Sequence, residues 1–322
     1  MSLEIEQVGS FHLPGREVSV SGIPTRKDVL TPGGPVRIID ENGKYEVEQI
    51  YVQFVRLASP RARFPLLMWH GGGMTGVTWE DTPDGRPGWQ MAFLKFGHDV
   101  YVSDAVERGR ASFSPLPGVY GGDPFVRTKK ECWEGFRVGP VGSWHADGSE
   151  CSAYSGQRFP IDAFDSFVRQ TVPRWTVNDE ATQAAYDHLL QRVGPAVIIS
   201  HSQSGNFSFT AALHAPDKVC AVISIEPSGT PLPDQVDISQ VREIPHLVIW
   251  GDYIEQGTRW PGYQKRIETY GDALRAVGGS LEIIDLPSLG IRGNSHFPMM
   301  DDNSDEVAGL VQEWIESKGL MR

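Results

Sequence analysis

One stretch, residues 196–206, constrains the fold of this chain more than any other. It reads Ala-Val-Ile-Ile-Ser-His-Ser-Gln-Ser-Gly-Asn, so four apolar residues run directly into a polar turn of small side chains. Apolar residues at helix-compatible spacings follow at 207–213. The pattern predicts a buried strand, a tight turn and a helix.

The turn puts Ser202 in the register of a nucleophile. It is a near relative of G-x-S-x-G, in which a strained corner between strand and helix exposes one serine hydroxyl. Serine replaces glycine at 200 and 204, and a glycine follows at 205. A serine-rich helix cap has a similar composition and is common in α/β proteins. The turn alone therefore leaves both interpretations open.

Size and charge limit the classes of protein to which the chain can belong. With 322 residues, of which 40% are hydrophobic, it can bury a full α/β core. The net charge of -12 argues against binding to nucleic acid or to an anionic membrane surface. No apolar run approaches the ~18 residues that cross a bilayer. We therefore expect no nucleic-acid partner and no membrane association.

Cysteine usage and the first residues bear on the compartment. Three cysteines are too few for a disulfide scaffold, and Cys132 and Cys151 could pair only in an oxidising compartment. The first residues lack the basic and apolar regions of a secretory signal. We expect a cytoplasmic protein, or a periplasmic or secreted one if a signal peptide has been removed.

Strands and helices alternate along most of the chain, which predicts an α/β fold with a mostly parallel central sheet flanked by helices. We predict a half-exposed antiparallel edge strand at 46–55, and further strands at 64–69, 99–104, 219–225, 245–250 and 280–286. Helices are predicted at 178–192, 263–277 and 305–317, with Asn178 as an N-cap and Asn303 and Glu306 spaced as a capping box.

Residues 108–175 interrupt this alternation. The segment is rich in aromatic residues and too long for an unstructured loop in a compact domain. We interpret residues 1–322 as a single domain and 108–175 as an inserted cap that shapes the substrate pocket.

The strand at 64–69 runs into His70 and three glycines. Gly71, Gly73 and Gly76 match G-x-G-x-x-G, but 77–88 contains too much Pro, Gly and Asp for the helix of a dinucleotide site. An oxyanion loop is the better interpretation, because glycines leave backbone N–H groups uncovered. No zinc motif or P-loop occurs, so no metal or cofactor is expected.

Candidate catalytic groups follow successive strands, in the order oxyanion loop, serine, acid, histidine that is typical of α/β hydrolases. His296 is the candidate base because it lies in the loop after the last strand. The acid is Glu226, Asp252 or Glu255. Spacing favours Glu226 slightly, because a charge that ends so apolar a strand needs a partner. Asp252 could instead cap a loop.

Longer motifs then resemble a small bacterial esterase subfamily of the α/β hydrolases. They are residues 70–89, 200–205, 226–227 and 290–298, within a resemblance that spans roughly 46–316. In that subfamily the acid is a glutamate after the sixth strand. The resemblance therefore implies Ser202 as nucleophile, Glu226 as acid and His296 as base, with the backbone N–H groups of Gly72 and Gln203 as oxyanion donors. It also implies a cap and a homodimer.

These residues predict a serine carboxylic-ester hydrolase that acts on a small-molecule ester through an acyl-enzyme. An ester is favoured over an amide because alkoxide leaves more readily than amine. One alternative is a lactonase or methylesterase for a small carboxylated substrate, whose acid group Arg108, Arg110 or Arg292 would bind. Another is a non-catalytic binding protein with the hydrolase fold.

Overall fold

The fold is seen in a computed structural model, which describes residues 2–148 and 150–322. These residues contain strands β1 (Ile5–Leu13), β2 (Arg16–Val20), β3 (Arg26–Asp28), β4 (Arg37–Ile39), β5 (Gly43–Val47), β6 (Ile50–Leu57), β7 (Leu66–Trp69), β8 (Val100–Asp104), β9 (Ala196–His201), β10 (Val219–Ile225), β11 (His246–Trp250) and β12 (Leu281–Asp285). The α-helices are α1 (Val77–Glu80), α2 (Trp89–Phe96), α3 (Lys129–Gly135), α4 (Phe164–Val168), α5 (Asp179–Val193), α6 (Gln203–His214), α7 (Trp260–Ala276) and α8 (Ser304–Ser317).

Eight strands form the central sheet, in the order β1-β6-β8-β7-β9-β10-β11-β12. The pairs β1–β6 and β6–β8 are antiparallel, and all later pairs are parallel. The predicted α/β-hydrolase fold is therefore confirmed. The antiparallel strand near 46–55 is present as β6, but its prediction as an edge strand is wrong, because β6 pairs with β1 on one side and with β8 on the other, and β1 forms the edge. Parallel strands bring their carboxyl ends to one edge of a sheet, so the loops after β7, β9, β10 and β11 meet there.

Helices cover both faces of the sheet because successive strand residues point to opposite sides. In β9, Val197 and Ile199 belong to one hydrophobic cluster together with residues of α2 and α8. Ala196 and Ile198 belong to the other, with residues of α5, α6 and α7. This double burial explains why β9 is a continuous apolar run and not an alternating one.

Some elements differ from the sequence prediction. Strand β1 and helix α2 had no counterpart in it, and 77–88, expected to contain no helix, begins with the single turn of α1. Helix α2 was missed because its first residue, Trp89, follows a stretch dense in Pro and Gly. Its Trp89, Phe93 and Leu94 are buried, so tertiary packing stabilises a helix that the flanking residues do not indicate.

The predicted helix starts are in place, but the capping bonds are not. Asn178 and Asn303 occupy the N-cap positions of α5 and α8, yet neither side chain makes a capping hydrogen bond. The Asn303 side chain instead pairs with that of Asn294, at 2.7 and 3.3 Å. Its Nδ2 also donates to the Glu306 carboxylate at 3.3 Å. The predicted capping box is nevertheless wrong, because Oδ1 of Asn303 accepts from Asn294 and not from a backbone N–H of the first turn.

Segment 108–175 lies against the loops at the carboxyl edge of the sheet. The Phe136 carbonyl accepts a hydrogen bond from the His296 amide at 3.0 Å, and the Gly73 carbonyl accepts one from the Val172 amide at 2.9 Å. Phe164 and Phe167 pack into the cluster that also contains α2 and α8. The segment is thus joined to the main core, and its description as an inserted cap stays a prediction.

All three cysteines are free, so Cys132 and Cys151 are not paired.

Within the described residues, none of the helices combines the length and the apolar composition needed to cross a bilayer.

Buried histidines make the stability of this fold depend on pH. The His246 side chain is fully buried; its Nδ1–H donates to the Ile244 carbonyl at 2.8 Å, and its ring stacks on Phe209. Burial lowers the pKa of His246 to about 4, whereas an unfolded chain has a histidine pKa of about 6.5. Between these values the unfolded state binds the extra proton, so stability falls as the pH falls.

We expect the wild type to lose about 2 kcal/mol of unfolding free energy through His246 between pH 7 and pH 5. His246→Phe removes this contribution, so the free-energy difference between the two proteins shifts by that amount. Urea unfolding of both proteins at both pH values measures the shift. If the unfolding free energies of the two proteins changed equally with pH, the prediction would be contradicted. Taking the difference between the two proteins cancels the contributions of all other titrating groups.

Candidate active site

Ser202 lies at the corner between β9 and α6. Its φ of 53° and ψ of -115° place a non-glycine residue in a strained region, which costs about 1–3 kcal/mol and is typical of functional turns. The Ile225 carbonyl accepts a hydrogen bond from its amide at 3.0 Å. A Cβ at Gly205 would lie only 2.6 Å from Cβ of Pro227. In this chain α6 comes closest to the end of β10 at residue 205. Glycine is therefore needed at 205, one position later than the last glycine of G-x-S-x-G.

The two serines that replace glycines tie the turn to its surroundings. The Ser200 hydroxyl lies 2.8 Å from that of Ser208 and 3.0 Å from that of Ser224, and all three are buried. Ser204 donates to the His70 carbonyl, which joins the glycine loop to the first turn of α6. These bonds hold the corner rigid around Ser202.

His296 reaches Ser202 across the edge of the sheet. Its Nε2 lies 3.0 Å from Oγ of Ser202, and its Nδ1 lies 3.3 Å from Oε2 of Glu226. Nδ1–H donates to the carboxylate, which leaves the Nε2 lone pair facing the serine hydroxyl. The ring centroid is 4.3 Å from that of Trp260. This is the tautomer and orientation that a general base for serine requires.

The loop that carries His296 is shaped by a buried carboxylate. Asp301 accepts hydrogen bonds from the Ser295 amide at 2.8 Å, the Ser295 hydroxyl at 2.7 Å and Nδ2 of Asn294 at 3.0 Å. Burial raises the pKa of Asp301 to about 7. The imidazole of His201 adds a further contact, 2.9 Å from its Nε2 to the His296 carbonyl.

Glu226 directly follows β10 and is fully buried, with a φ of 53°. Its Oε1 accepts from Nη2 of Arg137 at 2.6 Å and from the Gly251 amide at 2.5 Å. Sequence reasoning required a partner for this charge but did not find Arg137. A buried carboxylate needs a positively charged or hydrogen-bonding partner. No sequence feature near residue 137 marks this arginine as the partner of Glu226.

The other candidate acids lie elsewhere. The Asp252 carboxylate accepts from the amides of Tyr253 at 2.8 Å and Gly293 at 3.0 Å, so it caps a loop. Glu255 lines a separate cavity bordered by β11 and β12. Neither makes a hydrogen bond to His296 within the described residues, whereas Glu226 does.

Gly72 and Gln203, the predicted oxyanion donors, lie on two adjacent backbones beside Ser202. Gln203 is the first residue of α6, so its N–H has no partner within the helix. The Gly72 amide donates to no acceptor in the described part of the chain. A Cβ at Gly72 would lie 2.7 Å from Oε1 of Gln203, and one at Gly71 would lie 3.1 Å from Cβ of Ser202. At Gly72 the flexible Gln203 side chain could move aside, but at Gly71 the Cβ would also lie 2.7 Å from Nδ1 of the buried His201 ring, so the close approach requires glycine at 71.

The protonation of His296 suits a base. Burial lowers its pKa well below the usual value, and the guanidinium groups of Arg137, Arg259 and Arg127 lower it further. The imidazole is therefore neutral near pH 7 and free to accept a proton.

A cavity of about 250 Å³ opens above Ser202. Two arginines from segment 108–175 and one from the N-cap of α7 line it, together with other residues that are mostly polar or aromatic (Gly72, Arg127, Phe136, Arg174, Asp179, Ser202, Gln203, Ser228, Arg259, Trp260, Tyr263 and His296). Sequence reasoning missed these arginines because nothing local distinguishes them from surface arginines.

The arginines expected in the pocket are used differently. Arg110 pairs with Asp104 and Glu80, each at 2.8 Å. Arg108 is buried and donates to backbone carbonyls, and Arg292 does not line the cavity. Among residues 2–148 and 150–322, no cluster of three or more His, Cys, Asp or Glu residues is arranged to hold a metal ion.

No family model matches the chain. A solved structure described as a novel bacterial esterase is 33% identical over 99% of this chain and 98% of its own, with a TM-score of 0.85. A probable secreted lipase, phiG, from a fungal species (strain ATCC 74256) is 27% identical over 335 residues, which cover 86% of this chain and 88% of the relative.

Proposed function

The chain belongs to the α/β-hydrolase esterases, and from that membership we propose that Ser202, His296 and Glu226 form a triad that hydrolyses a small carboxylic ester. The observation that carries the proposal is the 3.0 Å contact between Nε2 of His296 and Oγ of Ser202. It is supported by the position of Ser202 at a strained strand-to-helix corner. A serine hydroxyl becomes a competent nucleophile when an oriented imidazole accepts its proton.

In the first half of the reaction, Oγ of Ser202 bonds to the ester carbonyl carbon while its proton passes to Nε2 of His296. The tetrahedral oxyanion accepts hydrogen bonds from the amides of Gly72 and Gln203, and one such donor contributes about 3–4 kcal/mol. Collapse breaks the bond to the alcohol oxygen, which takes the proton from His296 and leaves. Glu226 stabilises the imidazolium throughout.

In the second half, water attacks the acyl-enzyme and gives a proton to His296. The bond between the acyl carbon and Oγ breaks, and His296 returns the proton to the serine. The acid product then leaves the cavity. Arg137 and the Gly251 amide hold Glu226 in place through both halves.

We propose that 108–175 acts as the cap of this site, since Arg127, Phe136 and Arg174 line the cavity. The proposed homodimer is supported by the hairpin of β3 and β4. Exposed apolar side chains lie on and beside it (Val29, Leu30, Val36 and Ile38), and an isolated two-stranded hairpin is marginally stable in water. Sedimentation velocity measures the assembly state.

The cytoplasmic location stays a prediction. The fungal relative is named as secreted, which favours the alternative of an exported protein. Cell fractionation distinguishes the two.

A fluorophosphonate probe tests the function directly, because it labels serines only where a base and an oxyanion site activate them. We expect stoichiometric labelling of the native protein on Ser202, assigned by fragmentation of the peptide that also carries Ser200 and Ser204. Heat-denatured protein is the control. Labelling at another serine, or none in the native protein, would refute the triad and favour a non-catalytic binding protein.

A further inference from the structure

The cavity above Ser202 is basic, although the chain carries a net charge of -12. Its lining holds Arg127, Arg174 and Arg259 against one carboxylate, Asp179, among the described residues. We infer that the ester substrate carries a carboxylate, which Arg174 and Arg259 bind while Ser202 attacks the ester carbon. This inference rests on the proposed function and names the substrate class of the same site.

Arg174 lies next to the proposed oxyanion donors. Its Nη1 donates to Oε1 of Gln203 at 2.6 Å. A Cβ at Gly72 would lie 2.5 Å from Nη1 of Arg174. Nε is buried without a partner, and Arg174 forms no ion pair within the described residues. The Gln203 amide separates it from Asp179, to which Nε2 of Gln203 donates at 2.9 Å. Nη2 donates to no acceptor among the described residues and is not among the buried atoms, so it is the donor that remains for a ligand in the cavity.

Arg259 borders the cavity on the side of Trp260 and His296. One nitrogen, Nη2, donates to the Gly135 carbonyl at 2.7 Å, and the guanidinium carbon lies 5.0 Å from the Trp260 ring centroid. It forms no ion pair with a carboxylate in the described part of the chain. These two contacts fix the orientation of the guanidinium but leave its charge without a counterion.

Arg127 differs from the other two because it pairs with Glu131. Its charge is thereby balanced. Asp179 acts on Arg174 through space without a direct ion pair, so the three arginines, Glu131 and Asp179 together leave one positive charge in excess. Burial lowers the pKa of the Arg174 and Arg259 guanidinium groups, a sign that water stabilises their charges poorly. A partly desolvated charge is costly without a counterion.

A carboxylate is the ligand that matches this arrangement. Guanidinium groups bind carboxylates through two parallel charge-assisted hydrogen bonds, with geometry that a neutral carbonyl cannot use as fully. The cavity of about 250 Å³ limits the substrate to a small acid ester. A bound anion would also offset the positive charge beside His296, whose pKa Arg259 lowers. The anion would therefore strengthen the base.

Two matched ester pairs test the inference. In 4-acetoxybenzoate and 4-acetoxybenzamide the charge lies on the leaving alcohol, and in monomethyl succinate and methyl succinamate it lies on the acyl group. We expect the wild type to prefer the anionic member of at least one pair by about 10- to 100-fold in kcat/KM, the effect of a hydrogen bond between charged groups.

Arg174→Gln and Arg259→Gln should each lower that ratio by about 10-fold or more. Arg259→Lys should retain more of it than Arg259→Gln, because the charge remains while the fork geometry is lost. Arg169→Gln is the matched control, since Arg169 is an exposed cap arginine outside the cavity. The ratio of kcat/KM for the anionic and the neutral ester should be the same in this variant as in the wild type.

Calorimetric titration of Ser202→Ala with 4-acetoxybenzoate or monomethyl succinate, with and without Arg259→Gln, measures the binding contribution without turnover.

Equal or better hydrolysis of the neutral member in both pairs would overturn the inference, as would a ratio that survives both glutamine variants. In either case hydrolysis of neutral esters and fluorophosphonate labelling leave the proposed esterase function standing. If no ester is hydrolysed and Ser202 is not labelled, the proposed function fails, and the inference fails with it.

Discussion

Ser202→Ala is expected to lower kcat for p-nitrophenyl acetate by on the order of 10⁴- to 10⁶-fold while the fold stays intact. The methyl group cannot attack the carbonyl, so only binding and the oxyanion donors remain to accelerate the reaction. Among the described residues, the hydroxyl makes a side-chain hydrogen bond to His296 alone. Alanine tolerates a φ of 53° about as poorly as serine does, so the free energy of unfolding should change little.

Steady-state kinetics and urea unfolding of the same preparations measure the two effects. Ser166→Ala is a suitable control, since within residues 2–148 and 150–322 the Ser166 hydroxyl accepts a single long hydrogen bond, of 3.4 Å, from Arg169. A Ser202→Ala protein that retains more than about a hundredth of wild-type turnover would contradict the nucleophile assignment.

Glu226→Gln is expected to lower kcat by about 10³- to 10⁴-fold, because the substitution reverses the tautomer of His296. The donors at Arg137 and Gly251 hold the glutamine oxygen where Oε1 of Glu226 now lies. The amide NH₂ then faces Nδ1 of His296, so Nδ1 must accept a hydrogen bond and the proton moves to Nε2. A protonated Nε2 cannot take a proton from Ser202.

The same substitution removes the charge that balances Arg137, so a loss of stability of about 3–5 kcal/mol is also expected. Rates measured well below the unfolding transition separate the two effects. Asp252→Asn is the discriminating control. It loses one loop-capping acceptor, which costs about 1 kcal/mol, and turnover should stay within about 10-fold of wild type. If Asp252→Asn abolished turnover and Glu226→Gln did not, the acid would be Asp252.

Local signals account for the parts of the fold that could be predicted. The apolar run of β9, the small-residue turn and α6 lie within about 20 consecutive residues, and their periodicity and turn chemistry are independent of the rest of the chain. The parallel topology then follows from the alternation of strands and helices, and it places Ser202, Glu226 and His296 at one edge. Helix α2 and the side-chain bonds of Asn178 and Asn303 could not be predicted, because packing and tertiary contacts decide them.

By itself the sequence determined the α/β sheet, the strand-to-helix corner and the order of the candidate catalytic groups. Tertiary structure alone decided that Arg137 lies against Glu226, 89 residues away in the chain, that Asp252 caps a loop and that Arg174 and Arg259 border the nucleophile. The physical reason is distance along the chain. Periodicity and turn preferences act over a few residues, whereas the partner of a buried charge depends on which distant segment the completed fold brings beside it.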